Sequence, residues 1–281
     1  MYAARAGYAV TVCEKEGCGG QITQAHRVDN FPGLPGISGI ELGDRLCAQA
    51  MDAGAQVAFC AAEAIDRQPD GTFSVTTDDG VLEAKAVIFA GGAKPRTLGL
   101  ANEQALLGRG VSYCALCDGA FFKGQDVAVV GGGSTAFSDA FVLAGLCRSV
   151  TLIHRRDGFR AEAPLVEAAR KTANIRILTP CTISALQGED HLTGIMLNTG
   201  EILPVQALFV ALGRVPDCKI LSDYVNLDEK SYVLAGEDCT TRTPGLFVAG
   251  DCRKKEVRQL TTAVADGTVA AMAACEYLKK N

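Results

Sequence analysis

The sequence predicts an α/β protein of two domains, one interrupted by the other, and three observations carry that reading. DVAVVGGGSTAFSDAFVLAGLCRSVTLIHRR, residues 126–156, runs strand, glycine turn, helix, strand. It has the length expected of a parallel βαβ crossover. YAARAGYAVTVCEKE, residues 2–16, reads as the last turns of a helix closed by Gly7 and a following strand ending at Glu14, part of a second such unit. GLFVAGD, residues 245–251, is a buried-strand pattern ending in Gly-Asp, ahead of a long small-residue helix that begins near Arg258.

Between these units the elements follow from local pattern. Residues Gly39 to Ala53 read as a helix, and TFSVTTDDGVLEAKAVIFAGG reads as a hairpin with Asp79-Gly80 at its turn. A helix is expected near Ala161 to Thr172, then short strands in LTGIMLN, TGEILP and ALFVALG. A β-rich element between glycine-punctuated strands suggests a first domain that resumes at the C-terminus. At 281 residues, with 48% apolar and 21% charged residues and 31 glycines, the chain is long enough for two cores. A net charge of −5 argues against nucleic acid or an anionic membrane as the main partner. With no apolar run of membrane-spanning length and no signal-like start, the expectation is a cytoplasmic protein.

Twelve cysteines in a chain of this length do not suggest a secreted disulfide scaffold. Cys47, Cys60, Cys147 and Cys275 sit among Ala, Leu, Val and Phe and are expected to be buried small hydrophobes. Cys13 and Cys18 have no second close pair to complete a metal site.

Chemistry concentrates at a few places. Gly131, Gly133 and Ala136 have the G-x-G-x-x-A spacing, with Ser134 and Thr135 opening the helix. Glycine lets backbone approach a pyrophosphate, whose charge sits on the helix N-terminal N–H groups. At the end of the next strand come His154, Arg155 and Arg156, then Arg160, where a ribose 2′-hydroxyl would want an acid and a 2′-phosphate wants arginine. NADPH is therefore expected over NADH, against the simpler reading of a solvated basic strand end paired with Asp157 and Glu162. At the N-terminal strand Glu14 is the acidic counterpart, fit for the ribose of an unphosphorylated adenosine such as that of FAD. Gly19, Gly20 and Gln21 offer backbone to a ligand, and the Asp251 carboxylate after Gly250 could take a ribityl hydroxyl. Cys114-x-x-Cys117 is then a redox pair with a source of electrons.

YCALCDGAFFKG, VAVVGGGSTA, HRRDGFRAE, PGLFVAGD and RQLTTAVADGTVAA, with GGQ and Asn30-Phe31-Pro32-Gly33 upstream, together resemble the low-molecular-weight thioredoxin reductases of the pyridine nucleotide–disulfide oxidoreductase class. The resemblance implies two Rossmann-like three-layer domains and a homodimer. An FAD domain would be split over residues 1–94 and 223–281, with an NADPH domain carrying the dithiol inserted at 95–222. It implies electron flow from NADPH through FAD and Cys114–Cys117 to a thioredoxin or thioredoxin-like disulfide, the swing of one domain letting the flavin meet each in turn. Cys117 would lie against the flavin and Asp118 would donate the proton. Glu14, Gly20, Gln21, Asn30, Asp251, Arg258 and Gln259 would line FAD; Ser134, Thr135, Arg155, Arg156 and Arg160 would bind NADPH. Other readings are reduction of a different protein disulfide, peroxiredoxin- or glutaredoxin-like, or a non-catalytic remnant that does not retain FAD. The last arises because the family's first strand and G-x-G-x-x-G loop have no counterpart ahead of Tyr2, so the expectation is that Met1 is not the natural start. Five missing buried side chains would remove about 10 kcal/mol of core energy, and the chain as written would then hold flavin weakly.

Overall fold

The structure is a computed structural model that describes residues 1–25 and 27–281. Two compact units divide the chain, one of residues 1–94 and 215–281, the other of 95–214. The chain passes between them twice, through the paired short strands Ala93–Pro95 and Arg214–Pro216. Residues 215–222, which the sequence reading places in the inserted domain, pack instead with the outer unit. Cys218 and Leu221 belong to its core beside Ile65, Phe73 and Val75.

The inserted unit is built on a five-stranded parallel sheet in the order Ile175–Leu178, Ser149–Ile153, Asp126–Val130, Ala207–Val210, Val111–Ser112. Its central strands are near-continuous apolar runs because both faces are covered. Val127, Val129, Val150, Leu152 and Phe209 pack toward Ala136, Phe137, Ala140 and Leu143 of the helix Ser134–Ala144. The alternate residues Ala128, Val130, Ile153, Leu208 and Val210 face Ile183, Leu186, Ile195 and Leu197 of a three-stranded antiparallel sheet. Helix, parallel sheet and antiparallel sheet make three layers.

The outer unit has two parallel pairs, Thr11–Cys13 with Gln56–Ala58 and Val87–Phe89 with Leu246–Val248. It also has an antiparallel sheet of Ala62–Arg67, Phe73–Thr77 and Gly80–Ala84. The expected hairpin is present, but Thr77 pairs with Gly80, so its two turn residues are Asp78 and Asp79. Gly80, at φ +130°, opens the returning strand, and the apolar run that follows it belongs to the parallel pairs. Ser38 caps the helix Gly39–Asp52 by accepting from the Glu41 N–H at 3.1 Å. The helix Leu260–Lys280 starts on a capping box between Gln259 and Thr262 and buries Ala270, Ala271 and Ala274. Among the described residues no helix is long and apolar enough to cross a membrane.

Candidate active site

The dithiol pair closes the strand Val111–Ser112 and opens the short helix Ala115–Asp118. Cys114 and Cys117 are disulfide-linked with their Cα atoms 5.3 Å apart. The Cys117 N–H donates to Cys114 Sγ at 3.2 Å, while Cys117 itself is exposed. Ser112 ties the segment together. Its hydroxyl accepts from the Cys114 N–H at 3.0 Å and donates to Asp118 Oδ2 at 2.6 Å. Burial pushes the Asp118 carboxyl above the ordinary range, and the Ser112 hydrogen bond only partly offsets it, with no cation among the described residues paired to the group. An adjacent buried group steadies the preceding residue: Glu103, only 4% exposed, accepts from the Leu98 and Gly99 N–H groups and from the Tyr113 hydroxyl at 2.8 Å.

The glycine turn lies in the same unit, between Asp126–Val130 and Ser134–Ala144. A side chain at Gly131 would strike Ala211 O and Ala136 Cβ, and one at Gly132 would strike the His154 ring. Gly133 caps the helix with no side-chain hydrogen bond, leaving backbone N–H groups as donors at its open end. The chain after His154 folds back over this turn, the Arg160 and Ala161 N–H groups donating to Gly132 O at 2.8 and 3.2 Å. His154 stacks on Phe159 with ring centroids 5.2 Å apart, and its Nε2 lies 3.2 Å from Gly158 O. It is a packing piece that shapes the turn. Arg155, Arg156 and Arg160 are exposed, and among the described residues no ion pair joins them to Asp157 or Glu162. The turn and the three cations fit a phosphorylated dinucleotide: close backbone, helix N-terminus, and guanidinium groups not engaged elsewhere.

In the outer unit the fold gathers Asn30, Gly250, Asp251, Arg258 and Gln259 from segments far apart in sequence. Asn30 Nδ2 donates to Gln259 Oε1 at 3.2 Å across 229 residues. Arg258 donates to Asp251 O and Arg253 O and lies 4.1 Å over the Tyr232 ring. Glu14 uses Oε1 to accept from the Glu16 N–H at 3.0 Å. Gly19 and Gly20, at φ +110° and +57°, turn the chain toward Gln21, whose Nε2 donates to Ala93 O at 2.9 Å. Amide, carboxylate and guanidinium groups with adaptable backbone fit the hydroxyls and ring edges of a flavin nucleotide, and among the described residues the strand-glycine-helix cradle for a pyrophosphate is the one at 131–134.

Comparison with known proteins agrees with this arrangement. A profile described as pyridine nucleotide-disulphide oxidoreductase matches residues 1–267. The chain is 38% identical to a thioredoxin reductase of Treponema pallidum over 99% of its length and 92% of that protein. It is 40% identical to a bifunctional thioredoxin reductase/thioredoxin of Mycobacterium leprae, covering all of this chain and 63% of that one. The crystal structure of thioredoxin reductase from Streptococcus pyogenes superposes with a TM-score of 0.94 at 34% identity, over all of this chain and 93% of the other. The chain belongs to the pyridine nucleotide-disulphide oxidoreductase family.

In this oxidoreductase several supporting residues have no motif to announce them. Asp266, 7% exposed, accepts from Arg253 Nη2 at 2.9 Å, from Lys255 Nζ at 2.8 Å and from the Gly250 N–H at 3.0 Å. Burial alone would raise this carboxyl, but Arg253, Lys255 and the Gly250 amide together hold it below the ordinary range. It anchors the Gly250-Asp251 turn from the helix behind. Ser112 and Glu103 were equally silent, since a lone Ser or Glu carries no spacing signal. Cys60, Cys147 and Cys275 are buried as expected. Cys47 is not: it is half-buried and disulfide-linked to Cys18, because position 47 of its helix faces the loop after Thr11–Cys13 instead of a core.

Proposed function

We propose that this oxidoreductase is an NADPH-dependent flavoprotein disulfide reductase that reduces thioredoxin through Cys114 and Cys117. The single observation that carries the reading is a Cys114–Cys117 disulfide beside a carboxyl held protonatable by burial, in the same unit as a dinucleotide turn edged by uncommitted arginines. The Mycobacterium leprae relative, named for both activities in one chain, supports thioredoxin as the partner. On the motif resemblance we extend the proposal to a cytoplasmic homodimer, the outer unit holding FAD and the inserted one NADPH.

When bound, FAD and NADPH supply the electron pair. Arg155, Arg156 and Arg160 would take the 2′-phosphate, and residues 131–136 the pyrophosphate, with His154 fixing the turn. Glu14, Gly19, Gly20, Gln21, Asn30, Gly250, Asp251, Arg258 and Gln259 would hold the flavin nucleotide. Reduction breaks the Cys114–Cys117 bond. The Cys117 N–H, already aimed at Cys114 Sγ, stabilises a thiolate there, as N–H donors at helix starts do. Asp118 gives a proton to the other sulfur, and Ser112 then holds the resulting carboxylate. The Cys114 thiolate attacks a partner disulfide, and Cys117 resolves the mixed disulfide to return the pair to its oxidised form.

The experiment is NADPH oxidation by flavin-loaded protein with thioredoxin and a reporter disulfide, set against glutaredoxin-like and peroxiredoxin-linked partners. Thioredoxin-dependent turnover that vanishes in Cys114→Ser and Cys117→Ser is expected. Equal turnover with every partner, or cysteine variants that keep full rate, would overturn the proposal.

A further inference from the structure

A second disulfide in the outer unit lies outside this reaction. Cys18 and Cys47 are joined with Cα atoms 6.0 Å apart and 29 residues between them in sequence. Both are half-buried and neither belongs to a core of the unit. Of the eight remaining free cysteines all but Cys13 are buried, and burial pushes the thiols of Cys147, Cys181 and Cys239 up, away from nucleophilic character.

The geometry around the pair is built for close contact. Gly39, Gly43 and Cys47 fall four residues apart on one face of the Gly39–Asp52 helix. A Cβ on Gly39 would collide with Ile22 O, and one on Gly43 would meet Cys18 O and Gly19 Cα at 3.0 Å. The helix start is thus seated directly on the loop by two glycines, and the disulfide fastens the next turn. The loop it fastens carries Glu14, Gly19, Gly20 and Gln21.

We propose that Cys18–Cys47 is a second thiol–disulfide exchange site, a redox modification that locks the 14–21 loop onto the Gly39–Asp52 helix and releases it on reduction. A dithiol of the thioredoxin type is the natural partner: its thiolate attacks the Cys18–Cys47 bond, that S–S bond breaks, and a mixed disulfide resolves. Two electrons and two protons pass to Cys18 and Cys47, and the partner closes one S–S bond. An oxidised partner runs the exchange in reverse. The inference rests on the reductase reading only in that the same dithiol pool, filled through Cys114 and Cys117, then reports on the loop; the exchange itself does not need that turnover.

The test uses the full chain carrying Cys114→Ser and Cys117→Ser, so that the first pair is silent, equilibrated at fixed pH with mixtures of oxidised and reduced dithiothreitol. Thiols are trapped by alkylation and peptides assigned by mass spectrometry. The expected result is a Cys18–Cys47 cross-linked peptide at the oxidising end that converts in one two-electron step to two alkylated peptides. Trypsin cleavage after Lys15 is expected to become severalfold faster across the same step, because the freed loop opens locally. Cys18→Ser should leave Cys47 alkylated at every mixture and fix cleavage at the fast rate. Cys18 and Cys47 alkylated independently throughout, or cross-linked to other cysteines, would overturn the proposal. So would cleavage that ignores the step. Loss of thioredoxin reduction in the unmutated protein with this titration intact would sink the reductase reading and leave the exchange site standing.

Discussion

Asp118 and Asp266 are both aspartates drawn out of water, and the fold treats them in opposite ways. Asp266 in the outer unit meets Arg253, Lys255 and a backbone N–H, so its charge is fully answered and its carboxyl titrates low. Asp118 in the inserted unit is drawn out of water with one hydroxyl and, among the described residues, no cation to answer it, so burial sets its carboxyl high. The difference separates architecture from the proposed chemistry: a buried acid with its counter-charges in place is a fixed anchor, and one without them is the candidate for carrying a proton. Arginines divide the same way. Arg253 is spent on Asp266, whereas Arg155, Arg156 and Arg160 stand exposed at the glycine turn.

Breaking the two acids should give different phenotypes. Asp118→Asn is expected to fold with near-normal stability and lose about 10²–10⁴-fold in disulfide turnover, the range of general acid catalysis. The wild-type rate should fall as pH rises through the raised Asp118 pKa and the donor is lost. The variant should lack that limb, which a pH–rate profile of both proteins checks. Asp266→Ala should do the reverse, destabilising the outer unit by roughly 3–5 kcal/mol because two buried cations lose their partner. Denaturant midpoints measure that loss. A variant of Asp266 with unchanged midpoint, or of Asp118 with a large stability defect, would erase the distinction.

Smaller effects sharpen it. Replacing Arg155 and Arg156 together by Gln removes up to two charge-assisted contacts of about 1.5–3 kcal/mol each. KM for NADPH should therefore rise roughly 10-fold or more, and KM for NADH should not move. Asp139, on the helix behind the glycine turn, is pushed up to about 6 by burial, with Arg214 pulling it back only in part. Its folded pKa exceeds its unfolded one, so it imposes no penalty below about pH 4, a growing penalty to pH 6 and a constant one above. Asp139→Asn should accordingly stabilise the inserted unit by about 1–3 kcal/mol at pH 8 and by little at pH 4, read from thermal melts at the two pH values.

The sequence was most informative where a motif is local. Gly131 to Ala136 and Cys114 to Asp118 are each contiguous, and strand, turn and helix around them follow from period and glycine placement. The chain returns to the outer unit at residue 215 and not at 223, because whether Cys218 and Leu221 join one core or the other is a tertiary fact. The hairpin turn shifted by one residue because Gly80 at positive φ serves to start a strand as well as to make a turn. Asp266, Glu103 and the Cys18–Cys47 link were illegible for a common reason. Each depends on partners brought from a distance or on backbone groups, and no spacing records them. Asn30 and Gln259, brought together across 229 residues, were reached only through resemblance.

Under the proposed function electrons leave this protein through one pair of sulfurs among twelve cysteines. The most direct measurement is flavin-loaded protein turning over NADPH with thioredoxin, wild type against Cys114→Ser, with the bound flavin spectrum recorded for both. Matching flavin content and complete loss of thioredoxin-dependent turnover in the variant are expected. Turnover that survives Cys114→Ser at the wild-type rate would contradict the proposed function.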